Sequence, residues 1–308
     1  MELDPTLPTK SMEVQLQTLI VDAFRYLSPL PQRSYLVIID GLDECHENAT
    51  QQSILRLLCE TITVHKLPLR FLIGSRPESH IREKFDQESL YTVTRRVVLD
   101  ETFDPGRDIR VFLRDGFAKI CAKNSVMFHV EQPWPEEGTI DLLVQRSSGQ
   151  FIYAATVLKF VGADFCSPRK QLALVLKPDP TAFSDLDQLY TQILSVYPSA
   201  VNVVQVLGFM IVIDATRFPE VIEDILEMEK GELKLVLRGL SSFMGDEREC
   251  LNKGVISYVI PDFAHASFRD YLFNSSRSGR FYVNQQEYES QVTIKSFALI
   301  VQSIRSWR

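Results

Sequence analysis

The sequence has little cysteine, and its cysteines form no recognisable pair. There are five in 308 residues, and no C-x-x-C motif occurs. A disulfide framework favours an even number, and a structural zinc site favours close spacing. We therefore expect reduced thiols, as in a cytoplasmic protein. The cysteines are Cys45, Cys59, Cys121, Cys166 and Cys250.

Long apolar runs are also lacking. The longest, residues 203–213, is interrupted by Gln205 and is about half as long as a membrane span. Residues 1–10 contain neither a basic segment nor an apolar segment of the kind that opens a signal peptide. These absences predict a soluble cytoplasmic protein without a membrane partner.

An excess of positive charge is missing as well. The chain has 33 Lys and Arg against 40 Asp and Glu, and its net charge is -7. Nucleic-acid-binding proteins usually carry a basic patch, so no nucleic-acid partner is expected. The length and the 45% hydrophobic content are sufficient for two or three packed domains.

Three short apolar runs predict the fold class of the first part. They lie at residues 35–39, 71–73 and 97–99, and helical patterns occupy residues 11–27 and 54–61. Continuous apolar runs are typical of strands buried on both faces of a parallel sheet. The alternation predicts an α/β domain over residues 1–104, with right-handed crossovers.

The later residues predict two further domains. Apolar side chains recur at helical spacing through residues 105–166, which indicates a small helical domain. Pro178 and Pro180 mark a boundary. Several short helices and a strand at residues 255–260 then favour a winged-helix domain over residues 178–283, and residues 284–308 form a linker or tail.

Three acidic residues follow the first apolar run. Asp40 comes directly after residues 35–39, and Asp43 and Glu44 follow within the same turn. Parallel sheets bind ligands at the carboxyl ends of their strands. Asp40 is the predicted Mg²⁺ ligand there, acting through water, and Asp43 and Glu44 are the residues predicted to polarise an attacking water. The alternative is an Asp-Gly turn whose acids lie at a helix N-terminus.

One cation follows the second run. Arg76 comes three residues after residue 73, where it could sense the γ-phosphate of a nucleotide. The alternative is that Ser75 and Glu78 form a capping box, with Pro77 in the first turn of a helix. Both interpretations could hold together.

These segments together resemble NACHT-type members of the STAND nucleotide-switch family, particularly the fungal branch. Residues 37–45 resemble the Walker B segment and residues 73–78 resemble sensor 1. Residues 148–154 and 186–194 are similar to segments of the helical and winged-helix domains. Residues 263–272 resemble the winged-helix segment whose histidine contacts the β-phosphate of bound ADP, which implies that role for His265. The alternative for His265 is a capping or packing residue.

The resemblance implies Mg²⁺ with ATP, ADP or GTP in intact relatives, but the phosphate-binding loop is missing. No G-x-x-x-x-G-K-[ST] motif and no Gly-Lys dipeptide occurs in the 308 residues. That loop supplies several hydrogen bonds to the phosphates, and losing three would cost about 4–9 kcal/mol. We therefore expect neither stable nucleotide binding nor hydrolysis by this chain.

Three functions remain open at this point. The first is an incomplete nucleotide-dependent signalling switch that acts through protein partners or self-association, because a partial sheet would expose apolar surface. The second is a working NTPase whose P-loop is missing only from this gene model. The third is an unrelated metal-dependent hydrolase using Asp40, Asp43 and Glu44, although no further ligands such as a paired-histidine motif are apparent.

Overall fold

The structure is a computed structural model that divides the chain into two compact units, Met1–Val98 and Leu99–Arg308. The residues it describes are 4–26, 33–45, 47–99, 103–164, 166–177, 184–197, 200–213, 219–245, 248–252, 255–259, 263 and 265–306.

The first unit combines short helices with one pair of strands. A helical segment opens it, in which a π-helical turn (Gln17–Val21) separates two α-helical parts. The Ser11 side chain accepts a hydrogen bond from the Val14 N–H and so caps this segment. The elements in chain order are α1 (Met12–Leu16), α2 (Asp22–Tyr26), β1 (Tyr35–Ile39), α3 (Asn48–Thr63), β2 (Leu69–Ile73), α4 (Ser79–Asp86) and α5 (Glu88–Tyr91).

Strands β1 and β2 are parallel neighbours, with Tyr35 opposite Leu69 and Ile39 opposite Ile73. Helix α3 connects them, as the apolar runs at residues 35–39 and 71–73 and the helical pattern between them predict. The helices pack against one face of the strand pair, mainly along β2: Leu69 and Phe71 pack with Val21 of the first helical segment. Further along the same face, Ile73 packs against the cluster that contains Leu55 of α3.

The predicted fold class is wrong. Helices account for 66% of the structure and strands for 5%, and the only parallel sheet among the described residues has two strands. Residues 97–99 form no strand, and Val97, Val98 and Leu99 are all exposed. A run of three apolar residues next to Arg95 and Arg96 is too short to specify a buried strand. The sequence pattern therefore overstated the sheet.

The second unit is built almost entirely from helices. Its N-caps include Asp104, whose side chain accepts from the Arg107 N–H, and Ser184, whose side chain accepts from the Asp187 N–H. The elements are α6 (Pro105–Lys123), α7 (Glu137–Ser147), α8 (Phe151–Val161), α9 (Pro168–Val175), α10 (Asp185–Ser195), α11 (Ala200–Ile213), α12 (Pro219–Leu226), α13 (Glu232–Gly239), β3 (Arg248–Asn252), β4 (Val255–Val259), α14 (Ala266–Leu272), α15 (Ser275–Ser278) and α16 (Gln285–Ser306).

The predicted winged-helix domain is also corrected. The late strand predicted at residues 255–260 is present as β4, and it pairs with β3 in a two-stranded antiparallel hairpin among helices α10 to α16. Apolar side chains from α6 to α14 and from α16 share one core. Several short helices with one strand do not specify a winged helix. The domain boundaries at residues 104, 166, 178 and 283 stay predictions.

No helix within the described ranges is long and apolar enough to cross a bilayer.

Candidate functional site

The backbone continues the strand pairing beyond the ends of β1 and β2. The Gly74 N–H donates to the Ile39 carbonyl at 2.8 Å, and the Leu42 N–H donates to the Gly74 carbonyl at 3.1 Å. Gly41 has a φ of +70°, a left-handed conformation that glycine adopts without steric cost. These bonds bring the acidic turn after β1 beside the loop after β2, as the parallel arrangement predicts.

Asp40 lies exposed at this edge of the sheet. Its Oδ1 atom is 2.7 Å from the position that a Cβ atom would occupy at residue 74. Any other residue at position 74 would therefore force the carboxylate to move. The Asp40 carboxylate therefore occupies the space that a side chain at residue 74 would need.

Asp43 and Arg76 form a clip between the two loops. The Arg76 N–H donates to Asp43 Oδ1 at 3.0 Å, and Arg76 Nε lies 3.3 Å from Asp43 Oδ2. The Asp43 side chain is 10% exposed, whereas that of Arg76 is 42% exposed. Both oxygens of the Asp43 carboxylate are thus directed at Arg76, which competes with the predicted role of Asp43 toward a water molecule.

Glu44 ends a 3-10 turn, Leu42–Glu44, and is exposed. Its side chain folds back over Gly41, where a Cβ atom would lie 3.1 Å from Glu44 Cδ. Leu42 is fully buried and packs with Leu55 and Ile81. The turn is therefore anchored by one apolar side chain while its glutamate faces solvent.

Gln51 stabilises the acidic turn through hydrogen bonds to its backbone. The residue pattern did not identify this role. The Gln51 amide nitrogen donates to the carbonyls of Asp43, at 3.1 Å, and Cys45, at 2.7 Å. Its amide oxygen accepts from His80 Nε2, so this His80 nitrogen carries a proton. Gln51 is buried on the same helical stripe as Leu55. A polar residue on that apolar stripe was the available signal.

Helix α4 begins at Ser79, with Glu78 at its N-cap and no side-chain capping bond. Ser75 instead donates to the Arg76 carbonyl at 3.0 Å. The capping-box alternative for Ser75 is therefore wrong, because the loop stays extended for several residues before the helix starts.

His265 is the N-cap of α14 and belongs to the second unit. Its Nδ1 atom accepts from the Ser267 N–H at 3.1 Å and lies 2.7 Å from Ser267 Oγ. This is the capping arrangement that the sequence offered as an alternative. The implied contact of His265 with a nucleotide phosphate stays a prediction.

A second polar group lies inside the helical unit. Arg277 donates to both oxygens of the nearly buried Asp187, at 3.0 and 2.7 Å. The hydrogen bonds that Arg277 donates to Asp187 raise the pKa of Arg277 above its ordinary value. Near this ion pair, the hydroxyl groups of Tyr190 and Ser267 form a hydrogen bond of 2.8 Å. Asp187 interrupts the buried stripe of α10, which was its signal in the sequence, whereas nothing local marks Arg277.

Among the described residues, no group of three or more histidine, cysteine, aspartate and glutamate side chains is arranged to hold a metal ion. Asp40 presents one exposed carboxylate, and Asp43 is engaged by Arg76. A magnesium nucleotide needs hydrogen-bond donors for its phosphates in addition to a carboxylate for the metal. The residues at this edge therefore do not fit that group.

Residues 2–76 match the family model described as Nephrocystin 3, N-terminal. The matched segment includes both strands, the acidic turn and Arg76, and it spans a minority of the 308 residues. No curated protein and no solved structure matches the chain.

Proposed function

We propose that this chain is an incomplete, NACHT-type signalling switch that does not hydrolyse nucleotide by itself and acts through protein contacts. The observation that carries the proposal is the clip between Asp43 and Arg76. The acid that would polarise a water and the cation that would sense a phosphate are directed at each other. They form a structural link between two loops.

Three further observations support the proposal. The segment that resembles Walker B lies within the residues that match the Nephrocystin 3 family model, and the segment that resembles sensor 1 overlaps their end. The 308 residues contain no Gly-Lys dipeptide, so no phosphate-binding loop of the P-loop type can be formed from them. The acidic turn after β1 presents the exposed carboxylates of Asp40 and Glu44, which would repel a phosphate.

Phosphate release by the purified chain, with Mg²⁺ and either ATP or GTP, tests the proposal. The expected rate equals the background rate without protein, and Asp40→Asn changes nothing. Steady turnover that disappears in Asp40→Asn would instead favour a working NTPase. Turnover that survives Asp40→Asn would point to a contaminating enzyme, and repurification would then remove it.

A further inference from the structure

One face of the strand pair is exposed and apolar. Leu36 and Ile38 of β1 and Leu72 of β2 are 61%, 67% and 56% exposed. The register places Leu36 opposite Arg70 and Ile38 opposite Leu72, so these four side chains share one face because side chains alternate along a strand. On the opposite face, helices cover Leu69, Phe71 and Ile73 of β2, whereas Tyr35 and Val37 of β1 are 51% and 36% exposed. Both faces of a parallel sheet are almost always covered, so we expect a partner to cover the face of Leu36 and Ile38.

The same face carries opposite charges at its two ends. Arg70 is exposed at the end where the strands begin. Asp40 is exposed at the end where they finish, and its carboxylate lies over Gly74. Four residues separate these two levels, which is about 13 Å along the strands. The order along the face is therefore positive, apolar, negative.

We infer that this open sheet face, defined by Leu36, Ile38, Asp40, Arg70 and Leu72, is a self-complementary docking surface for a second copy of the chain. In a two-fold dimer the same patch meets itself. When the strands of the two copies run antiparallel, the positive end of each copy meets the negative end of the other. When they run parallel, Arg70 meets Arg70, so charge selects the antiparallel arrangement.

The missing side chain at Gly74 gives this arrangement a specific contact. An antiparallel two-fold places Arg70 of one copy over Gly74 of the other, where the Asp40 carboxylate of that second copy lies. Asp40 belongs to the neighbouring strand, about 5 Å to the side, so its carboxylate is within reach of the arginine. The dimer therefore contains two Arg70–Asp40 pairs around a centre of leucine and isoleucine side chains.

The small area of the face limits the affinity of the dimer. Two five-residue strands present a surface about 16 Å long and about 10 Å wide, well below a standard protein interface. The expected dimer is weak and forms reversibly with rising concentration. This inference rests on the proposed function only in that both assign the chain to protein contacts.

Sedimentation velocity over a wide concentration series tests the inference. The unmodified chain should shift from monomer to dimer, and Ile38→Ser should weaken the association about tenfold or more. Val64→Ser is the matched control, because Val64 is exposed in the same unit, at the end of α3, and not on this face. Circular dichroism verifies the fold of each variant.

Charge reversal tests the antiparallel geometry itself. Arg70→Asp and Asp40→Arg should each be monomeric, because like charges then meet at both ends. An equimolar mixture of the two variants should form a heterodimer, since every pair again joins Arg with Asp. Arg82→Asp, an exposed reversal on α4, should leave dimerisation unchanged.

A chain that stays monomeric at every concentration would overturn the inference, as would a dimer that is insensitive to Ile38→Ser or a mixture that does not associate. The outcome is separable from that of the proposed function. A monomer without turnover contradicts only the docking surface, and a dimer that hydrolyses nucleotide contradicts only the proposed function.

Discussion

At the scale of single residues, Asp43 shows how a motif residue can serve the fold. Its carboxylate accepts a backbone N–H and faces a guanidinium, both from Arg76, while Gln51 holds its carbonyl. Asp40, three residues earlier, is exposed at the sheet edge. Two acids of one sequence motif therefore have opposite surroundings, which the sequence alone did not distinguish.

Asp43→Ala should lower the free energy of unfolding by about 2 kcal/mol. It removes a hydrogen bond to a charged group, worth about 1.5–3 kcal/mol, together with an ion pair that the exposure of Arg76 reduces to less than about 1 kcal/mol. Asp43→Asn should cost less, because an amide oxygen can still accept the Arg76 N–H. Urea unfolding measures both variants. Asp40→Ala is the control, and an equal loss in that variant would show that Asp43 has no special anchoring role.

Single residues also show how much of the site could be predicted from the sequence. The acidic turn and Arg76 were found because each follows an apolar run that forms a strand. Gln51 and Arg277 were missed because their importance depends on partners distant in the sequence: Gln51 bonds to His80, and Arg277 bonds to Asp187. Contacts of this kind are determined by tertiary packing, which residue patterns do not encode.

At the scale of elements, α11 and α16 approach closely at a glycine. A Cβ atom at Gly208 would lie 2.4 Å from Cε1 of the Tyr288 ring. Tyr288 is largely buried and its ring also packs against Phe209. The ring cannot move aside without moving the helix, so the absence of a side chain at Gly208 determines the distance between the two helices.

Gly208→Ala should destabilise the protein by about 1–3 kcal/mol, because it overpacks this helix contact. Gly138→Ala is the matched control. Gly138 also lies in a helix, α7, but an added Cβ atom there meets nothing within 4 Å. That variant should gain about 0.5–1 kcal/mol from reduced freedom of the unfolded chain. Thermal melts of the two variants should therefore shift in opposite directions. Shifts of the same sign would contradict the close approach at Gly208.

Element prediction succeeded for three apolar runs and failed for one. The runs at residues 35–39 and 71–73 lie in β1 and β2, and the strand predicted at residues 255–260 is β4. The run at residues 97–99 forms no strand. The arrangement of the elements was harder to predict, since the residue pattern favoured a larger sheet and a winged helix and the structure contradicts both.

At the scale of the whole molecule, the helical unit buries several tyrosines in its core. Burial raises the pKa of Tyr153, Tyr190, Tyr197 and Tyr271 to about 12 each. Tyr190 and Tyr271 also contact each other edge to face. These phenols are therefore part of the packing that holds the second unit together, and they must stay neutral there.

Stability should fall as the pH rises from about 10 to about 12. Over this window tyrosines of the unfolded chain lose their protons, whereas the buried ones keep theirs, so ionisation favours the unfolded state. Below about pH 10 these tyrosines should have no effect on stability. Circular dichroism recorded together with tyrosinate absorbance should show helix loss and tyrosine ionisation in the same window. Complete ionisation with the helices intact would contradict the burial of these phenols.

We propose that the carboxyl edge of the strand pair, where Asp43 and Arg76 are directed at each other, does not hold a nucleotide. The most direct test is the melting temperature of the purified chain with and without millimolar MgATP or MgADP. A ligand at about 100 times its dissociation constant would stabilise the fold by about 2.7 kcal/mol, which a melt detects easily. The account predicts no shift with either nucleotide. A saturable rise in melting temperature that is lost in Asp40→Asn would contradict it.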